Sequence, residues 1–226
     1  MSQSRKKLSL KKANSVVHTV SNQKLELLPD KAIYWSEQNL LLISDVHWGK
    51  VDHFRKNGIA IPADAGLNNY DRLSNLIDKI APNEILFLGD VFHSHNNMDW
   101  QVCKTFLSTY KEITLSLVKG NHDILGEAEL ASVFNHIYEE SVTRGGFIFS
   151  HEPQTHQLLY NICGHIHPAY RMVVNRLPSV RLPCFHFTPS QCTMPAFGTF
   201  TGMHSISPSK NDTIYVIADG EVIPCH

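Results

Sequence analysis

The chain has 226 residues, of which 42% are hydrophobic and 18% charged, the composition of an ordinary globular protein with one sizeable core. Its formal net charge of −1 gives no overall attraction to nucleic acid, and no stretch approaches the roughly 18 apolar residues of a membrane span. The five cysteines form no Cys-x-x-Cys pair, which predicts buried thiols in a reducing cytoplasm.

The N-terminal segment is basic, with positive charges at Arg5, Lys6, Lys7, Lys11 and Lys12. A secretory signal peptide would require an apolar stretch of about 7–15 residues next, and none follows. Residues 1–24 are therefore predicted to be a solvated basic arm, and residues 25–226 to be a single domain in the cytoplasm. The alternative for the arm is a contact with the phosphate backbone of a nucleic acid.

Short apolar runs followed by a polar residue recur through the first three quarters of the chain. They cover residues 40–43, 85–88, 113–118, 147–149 and 160–163. Runs of this length that end in turn residues predict buried strands. Because α/β sheets assemble their sites at the carboxyl ends of strands, the polar residues that follow are candidates for one common site.

Helices are predicted between these strands, and the last part of the chain is predicted to be mostly β. A stripe of apolar residues spaced for a helix spans residues 64–80, a second helix starts near Asp99, and a third covers residues 126–136. After Tyr170, strands are predicted at 171–174, 182–187, 214–218 and 221–223, with Asp219-Gly220 as a tight hairpin turn. The fold class is therefore α/β.

Five short polar blocks follow the predicted strands and carry the ligand types of a metal site. They are Asp45-Val46-His47, Gly89-Asp90, Gly120-Asn121-His122-Asp123, His151 and Gly164-His165-Ile166-His167. Carboxylate, amide and imidazole ligands together suit Mn²⁺, Fe²⁺, Zn²⁺ or Ni²⁺. In an extended segment, residues two apart point to the same side, so Asp45 and His47 are predicted to face one site, as are His165 and His167.

Each block alone has an ordinary explanation, because Asp-x-His and His-x-His occur by chance and Gly-Asn-His-Asp forms a plausible turn. The conjunction of the five, each at a predicted strand end, predicts a two-metal phosphoester hydrolase. Asp90 stands alone after its strand, which suits a carboxylate that bridges two ions. Two ions about 3.5–4 Å apart would activate a shared water, and the hydroxide would attack phosphorus in line with the leaving oxygen.

These blocks resemble the motifs of the calcineurin-like metallophosphoesterases, in the same order from Asp45 to His167. The resemblance implies a four-layer α/β/β/α sandwich and two divalent ions, with Mn²⁺ preferred. It implies that one ion is held by Asp45, His47, Asp90 and His167, and the other by Asp90, Asn121, His151 and His165. It also implies that His122 is the catalytic histidine and that Asp123 helps to orient it. The sequence departs from the family at His93, where an acid is usual.

A narrower resemblance involves residues 48–62 and the segment Pro195-Ala196-Phe197-Gly198-Thr199-Phe200-Thr201-Gly202. Both are similar to a bacterial branch called ligase-associated DNA damage response endonucleases, which also tolerates His at the position of His93. This resemblance implies a DNA endonuclease in a repair pathway, associated with an ATP-dependent DNA ligase, a helicase and a nuclease, and no membrane partner. Lys50, Arg55 and His93 are predicted to contact substrate, with an ordinary solvated loop as the alternative for Lys50 and Arg55.

Alternatives remain for three further predictions. Trp48, Phe54 and Trp100 could stack on bases or pack in the core. The segment around Phe197-Gly198 could close over the site or form a turn between strands. A small phosphate ester, such as a cyclic nucleotide, a nucleotide derivative or a phosphomonoester, is the alternative substrate, and a scaffold without catalysis is the alternative function.

Overall fold

A computed structural model of the chain describes residues 14–50, 67–92, 98–172 and 179–225. Arg55, Phe54 and His93 lie outside them, as do the basic residues at the N-terminus. Within these ranges, no helix is both long and apolar enough to cross a membrane.

The first sheet has seven strands within the described ranges, paired in the order of the sequence from β1 to β7. The antiparallel part consists of β1 (Val16–Val20), β2 (Gln23–Leu28), β3 (Ala32–Trp35) and β4 (Leu40–Ile43), and the parallel part adds β5 (Glu84–Leu88), β6 (Thr114–Val118) and β7 (His136–Tyr138) to β4. A 3₁₀ helix, Ser36–Gln38, connects β3 to β4. All four residues of β4 are fully buried, as expected of a strand covered on both faces.

The second sheet has nine strands within the described ranges and contains both parallel and antiparallel pairs. Its strands are β8 (Ser141–Arg144), β9 (Phe147–Ser150), β10 (Tyr160–Cys163), β11 (Pro168–Met172), β12 (Val180–Phe187), β13 (Gln191–Thr193), β14 (His204–Ser205), β15 (Thr213–Ala218) and β16 (Glu221–Cys225). The strands β9, β10 and β13 are parallel neighbours, so their carboxyl ends lie at one edge.

Among the described residues, three helices pack on the outer face of the first sheet. They are α1 (Leu67–Ile80), α2 (Met98–Leu107) and the short α3 (Glu127–Ala131), and their apolar side chains join Leu41 and Ile43 in one core cluster. A second core cluster lies between the sheets, where Leu40 and Leu42 of β4 meet Phe147 and Phe149 of β9. The predicted α/β sandwich of two mixed sheets is confirmed, with helices on the first sheet.

Several sequence predictions need correction. The predicted helix 126–136 ends at Ala131, and His136 begins β7, because pairing with β6 overrides local helical preference at that position. The boundary of the basic arm at residue 24 falls inside the first sheet, since β1 and the start of β2 are already paired. Trp48 and Trp100 are buried in the helical core cluster, so neither offers a face to a nucleic acid base.

Candidate metal centre

The five polar blocks lie at the carboxyl ends of parallel strands from both sheets. Asp45 and His47 follow β4, Asp90 follows β5, and Asn121 follows β6, all in the first sheet. In the second sheet, His151 follows β9, and His165 and His167 follow β10. The sandwich therefore brings together side chains that are up to about 120 residues apart in sequence, as the strand pattern predicted.

One group of candidate ligands consists of Asp45, His47 and His167, whose donor atoms lie within 4.8 Å of one another. His167 Nε2 is 3.2 Å from Asp45 Oδ1. The other ring nitrogen, Nδ1, donates a hydrogen bond to the carbonyl oxygen of Thr201 at 2.9 Å. This bond fixes the tautomer that leaves Nε2 with a lone pair for a metal, the usual arrangement behind a histidine ligand.

A second group consists of Asp45, Asp90 and His151. His151 Nδ1 donates to the carbonyl oxygen of Leu88 at 2.9 Å, so Nε2 carries a lone pair. That Nε2 atom is 3.0 Å from Asn121 Oδ1 and 3.1 Å from His165 Nδ1. Oxygen and nitrogen lone pairs that converge in this way are stabilised by a shared cation, so these residues fit a divalent metal ion.

Asp90 belongs to the second group and also faces the first, while Asp45 is common to both. The Oδ2 atom of Asp90 is 3.6 Å from His47 Nε2, and its Oδ1 atom is 3.5 Å from His151 Nε2. The side chain is 4% exposed, so water screens these contacts little. Each carboxylate oxygen therefore faces the histidine of a different group, as a bridging ligand requires.

The backbone at these ligands is in the left-handed conformation rather than the extended one predicted. The φ angles are +54° at Asp45, +50° at His47, +51° at Asp90, +66° at His165 and +51° at His167. Residues other than glycine adopt this region rarely, although Asp and His do so more often than most, and such strain clusters at functional sites. From this backbone both histidines of the last block reach the centre, His165 at His151 and His167 at Asp45.

Asp123 is buried, and its carboxylate accepts hydrogen bonds from three backbone N–H groups, those of Val91, Phe92 and Gly120, at 2.9, 3.2 and 2.9 Å. Burial raises the pKa of Asp123 to about 6, although these N–H donors act in the opposite direction. Asp123 thus joins the turn after β5 to the turn after β6. That second turn also carries His122.

His122 lies at the open side of the centre, with 44% of its side chain exposed. Its backbone N–H donates to Asp90 Oδ1 at 2.9 Å, and its Nε2 atom is 4.0 Å from Asp90 Oδ2. The ring therefore reaches solvent beside the candidate bridging carboxylate, where a substrate would approach.

Lys50 follows the first block and is partly buried. It lies just after Trp48, which forms an isolated β-bridge with Phe92. Burial lowers the pKa of its ammonium group, and the nearby carboxylates of Asp90 and Asp45 oppose that change. A positive charge within the electrostatic reach of both carboxylates suits a contact with a phosphate. The other two predicted substrate contacts, Arg55 and His93, lie outside the described residues.

A cleft of about 370 Å³ opens beside the second group of ligands. It is lined by Lys119, Gly120, Asn121, Glu139, Glu140, His151, Glu152 and Gln154. Lys119 pairs with Glu139 at 2.9 Å, so the remaining charge of the lining is negative. This acidic surface was not identified from the sequence, because its glutamates come from turns that no ligand motif marks.

The backbone acceptors behind the ligands were also missed. The carbonyl groups of Leu88 and Thr201 select the ligand atoms of His151 and His167. A carbonyl group occurs at every position, so no side-chain pattern distinguishes these two.

Several solved structures are similar to this chain. Nuclease MPE from Pseudomonas putida has 29% sequence identity and a TM-score of 0.79, covering 93% of this chain and 100% of its own. YfcE, a phosphoesterase from E. coli, has 15% sequence identity and a TM-score of 0.43, covering 81% of this chain and 96% of its own. The protein AQ665 from Aquifex aeolicus has 20% sequence identity and a TM-score of 0.40, covering 57% of this chain and 78% of its own. Neither of the latter two scores supports further argument.

A search of curated proteins found no significant match. The sequence pattern of the calcineurin-like phosphoesterases matches residues 39–212, which include all five polar blocks and most of both sheets. The chain therefore belongs to the calcineurin-like phosphoesterase family and is a metal-dependent phosphoesterase.

Proposed function

We propose that the protein is a two-metal-dependent phosphodiester hydrolase that cleaves DNA in a repair pathway. The observation that carries the proposal is the position of Asp90, whose two carboxylate oxygens face His47 and His151 in separate ligand groups. The nearly full-length likeness to nuclease MPE supports a nucleic acid as the substrate.

The proposed ligands divide between two ions. Asp45, His47, Asp90 and His167 would hold the first, and Asp90, Asn121, His151 and His165 the second. When bound, the ions would neutralise the phosphate charge and lower the pKa of a water molecule between them. The mixture of carboxylate, amide and imidazole ligands makes Mn²⁺ our first choice, with Fe²⁺, Zn²⁺ or Ni²⁺ as alternatives.

The remaining proposed roles belong to side chains at the open edge of the centre. Lys50 would contact a phosphate oxygen of the substrate, a role that its position near Asp45 and Asp90 supports. The ring of His122 would stabilise the charge that develops on the leaving oxygen or transfer a proton to it. Asp123 would keep the turn that carries His122 in place through its three backbone hydrogen bonds.

Replacement of His122 by Gln tests its role as an acid. We expect kcat to fall by about 10²–10⁴-fold on a diester with an alkyl leaving group, because the leaving alkoxide then lacks a proton donor. The loss should be much smaller on bis-p-nitrophenyl phosphate, whose leaving group needs little protonation. Initial rates on both substrates provide the measurement, and metal content should match that of the wild type. An equal loss on both substrates would contradict the assignment.

A small phosphate ester is the second candidate substrate, and one observation favours it. The cleft beside Asn121 and His151 contains Glu140 and Glu152 in addition to the paired Glu139, so its lining repels a polyanion. A cyclic nucleotide or phosphomonoester presents fewer phosphates to this surface than DNA does.

Hydrolysis in the presence of Mn²⁺ decides between the two candidates. Wild type and Asn121→Ala should be compared on bis-p-nitrophenyl phosphate and on supercoiled plasmid DNA, with Asn211→Ala, an exposed loop variant, as the control. Activity on both substrates that is lost only in Asn121→Ala would support a nuclease using this centre. Activity on the small diester alone would favour a small substrate, or DNA presented by a partner. No activity and no bound metal would refute the proposal.

The proposed biological setting is the cytoplasm. An ATP-dependent DNA ligase, a helicase and a second nuclease are the proposed partners, on the basis of the segments 48–62 and 195–202. Co-purification of the tagged chain with these enzymes after DNA damage would test this setting separately from catalysis.

A further inference from the structure

The segment Phe197–Thr201 contacts two ligand-bearing parts of the metal centre. The backbone N–H of Phe197 donates to the carbonyl of Ser44 at 2.8 Å, and that of Gly198 donates to the carbonyl of Asp45 at 3.0 Å. At its other end, the carbonyl of Thr201 accepts the hydrogen bond from His167 Nδ1 at 2.9 Å. The segment therefore links the turn that carries Asp45 to the ring of His167.

The close approach of this segment requires glycine at position 198. A Cβ atom there would lie 2.6 Å from the carbonyl oxygen of Val46 and 2.6 Å from Cγ2 of Thr201. Both distances are well below van der Waals contact, so a side chain would push the segment away from the ligand turn. The hydroxyl of Thr201 also donates to the carbonyl of Gly198 at 3.3 Å, which closes the segment on itself.

One side chain from helix α1 holds the segment from the other side. Arg72 donates a short hydrogen bond from Nη2 to the carbonyl of Phe197, and its guanidinium carbon lies 4.0 Å above the Phe197 ring. Phe197 is fully buried, so this stacking and the hydrogen bond are partly shielded from water. The same guanidinium contacts Asn69 Oδ1 at 3.4 Å within the helix.

We propose that Arg72 is a positioning residue for the metal ion held by Asp45, His47 and His167. It acts through Phe197–Thr201, which orders the Asp45 turn and selects the ligand atom of His167. In the proposed assignment Asp45 and His167 hold only the first ion, although Asp45 also lies beside the second group, and His151 of that group is oriented separately by the carbonyl of Leu88. The inference rests on the proposed two-metal centre and predicts that loss of Arg72 weakens one site selectively.

The test is a calorimetric titration of the metal-free protein with Mn²⁺ alone. In Arg72→Gln, we expect one of the two Mn²⁺ ions to bind about 10–100-fold more weakly, the range typical of groups that orient metal ligands. The other ion should bind with wild-type affinity. Arg72→Lys, which can still donate to the Phe197 carbonyl, should recover part of the loss.

The matched control is Arg144→Gln. Arg144 forms an ion pair with Glu84 at 2.7 Å. Glu84 is the first residue of β5, at the end of the strand opposite Asp90. Removal of the arginine therefore breaks a partly buried ion pair without a contact to the centre. Both Mn²⁺ sites should keep their affinity in this control, whereas its thermal stability should fall. Equal weakening of one site in both variants would overturn the proposal, because that effect would be structural.

If Arg72→Gln does not fold, Thr201→Ala replaces it as the test. This variant removes the hydroxyl bond to Gly198 and keeps the carbonyl, so the same Mn²⁺ site should weaken several-fold while the other keeps its affinity. Wild-type binding of both ions in a folded Arg72→Gln or Thr201→Ala variant would overturn the proposal. Wild-type protein that binds fewer than two Mn²⁺ ions would instead refute the two-metal centre itself.

Discussion

Asp90→Asn is expected to abolish turnover and to lower the bound metal to at most one ion per chain. Asparagine keeps the size of the side chain and can still accept the backbone hydrogen bond from His122, which is 2.9 Å long in the native protein. It removes the negative charge that faces both His47 and His151 at 3.6 and 3.5 Å. A neutral amide offers one good metal-binding oxygen and cannot bridge two cations.

The expected loss in kcat is at least about 10³-fold, or roughly 4 kcal/mol of transition-state stabilisation. Elemental analysis of the purified variant gives the metal content, and initial rates on bis-p-nitrophenyl phosphate with saturating Mn²⁺ give the activity. Asp78→Asn is the control, because Asp78 is an exposed carboxylate on α1 and should leave both quantities unchanged. Two bound ions and near wild-type turnover in Asp90→Asn would show that Asp90 does not bridge.

The positions of the ligands could be predicted from sequence because burial and chemistry coincide there. The strand β4 is a continuous apolar run, and a polar residue directly after such a run is expected at a strand end. The parallel pairing of β4, β5 and β6 then brings their carboxyl ends to one edge. Each of these steps depends on local hydrophobicity, which a single sequence displays.

Other parts of the fold were missed because tertiary contacts determine them. The strand β1 alternates between half-buried and exposed residues at the edge of its sheet, so it has no apolar run to mark it, and its pairing with β2 defines it. His136, the first residue of β7, was assigned to the end of a helix for a related reason, since its backbone pairs with β6. Propensity is a weak guide wherever a neighbouring strand supplies the hydrogen bonds.

The internal geometry of the centre was also beyond local pattern. Asp45 and His47 share a site, as expected, but through left-handed backbone rather than an extended segment. The contact of Arg72 with Phe197 joins residues that are 125 positions apart, and no periodicity in the sequence relates them. Spacing in the sequence selects the candidate residues, whereas the packing of the two sheets determines how their donor atoms are arranged.

Gly164→Ala is expected to damage the centre without changing any ligand. Gly164 precedes His165, and its N–H donates to the carbonyl of His151 at 3.0 Å. A Cβ atom at this position would overlap the hydroxyl of Ser44 and the carboxylate of Asp45. These two groups form a short hydrogen bond in a fully buried environment, so neither can move aside without losing a partner.

The substitution should therefore separate the His165 turn from the Asp45 turn. In the native protein, the backbone N–H of His165 donates to both Asp45 oxygens, at 3.2 and 3.0 Å, and this contact joins the two sheets at the metal centre. Overpacking of a buried site costs about 1–3 kcal/mol, which corresponds to a melting temperature lower by roughly 2–12 °C for a chain of this size. Thermal unfolding of the metal-free protein measures this cost.

Mn²⁺ binding distinguishes damage to the centre from a general loss of stability. We expect both ions to bind more weakly, because Asp45 lies in both ligand groups and His165 contacts His151 of the second. Gly126→Ala is the matched control: Gly126 is exposed, and a Cβ atom there would meet only the end of the flexible Glu129 side chain. It should retain the wild-type melting temperature and both ions. Wild-type metal binding by Gly164→Ala would mean that the two turns can separate without loss of the centre. The contact between Asp45 and His165 would then have no role in holding the ions.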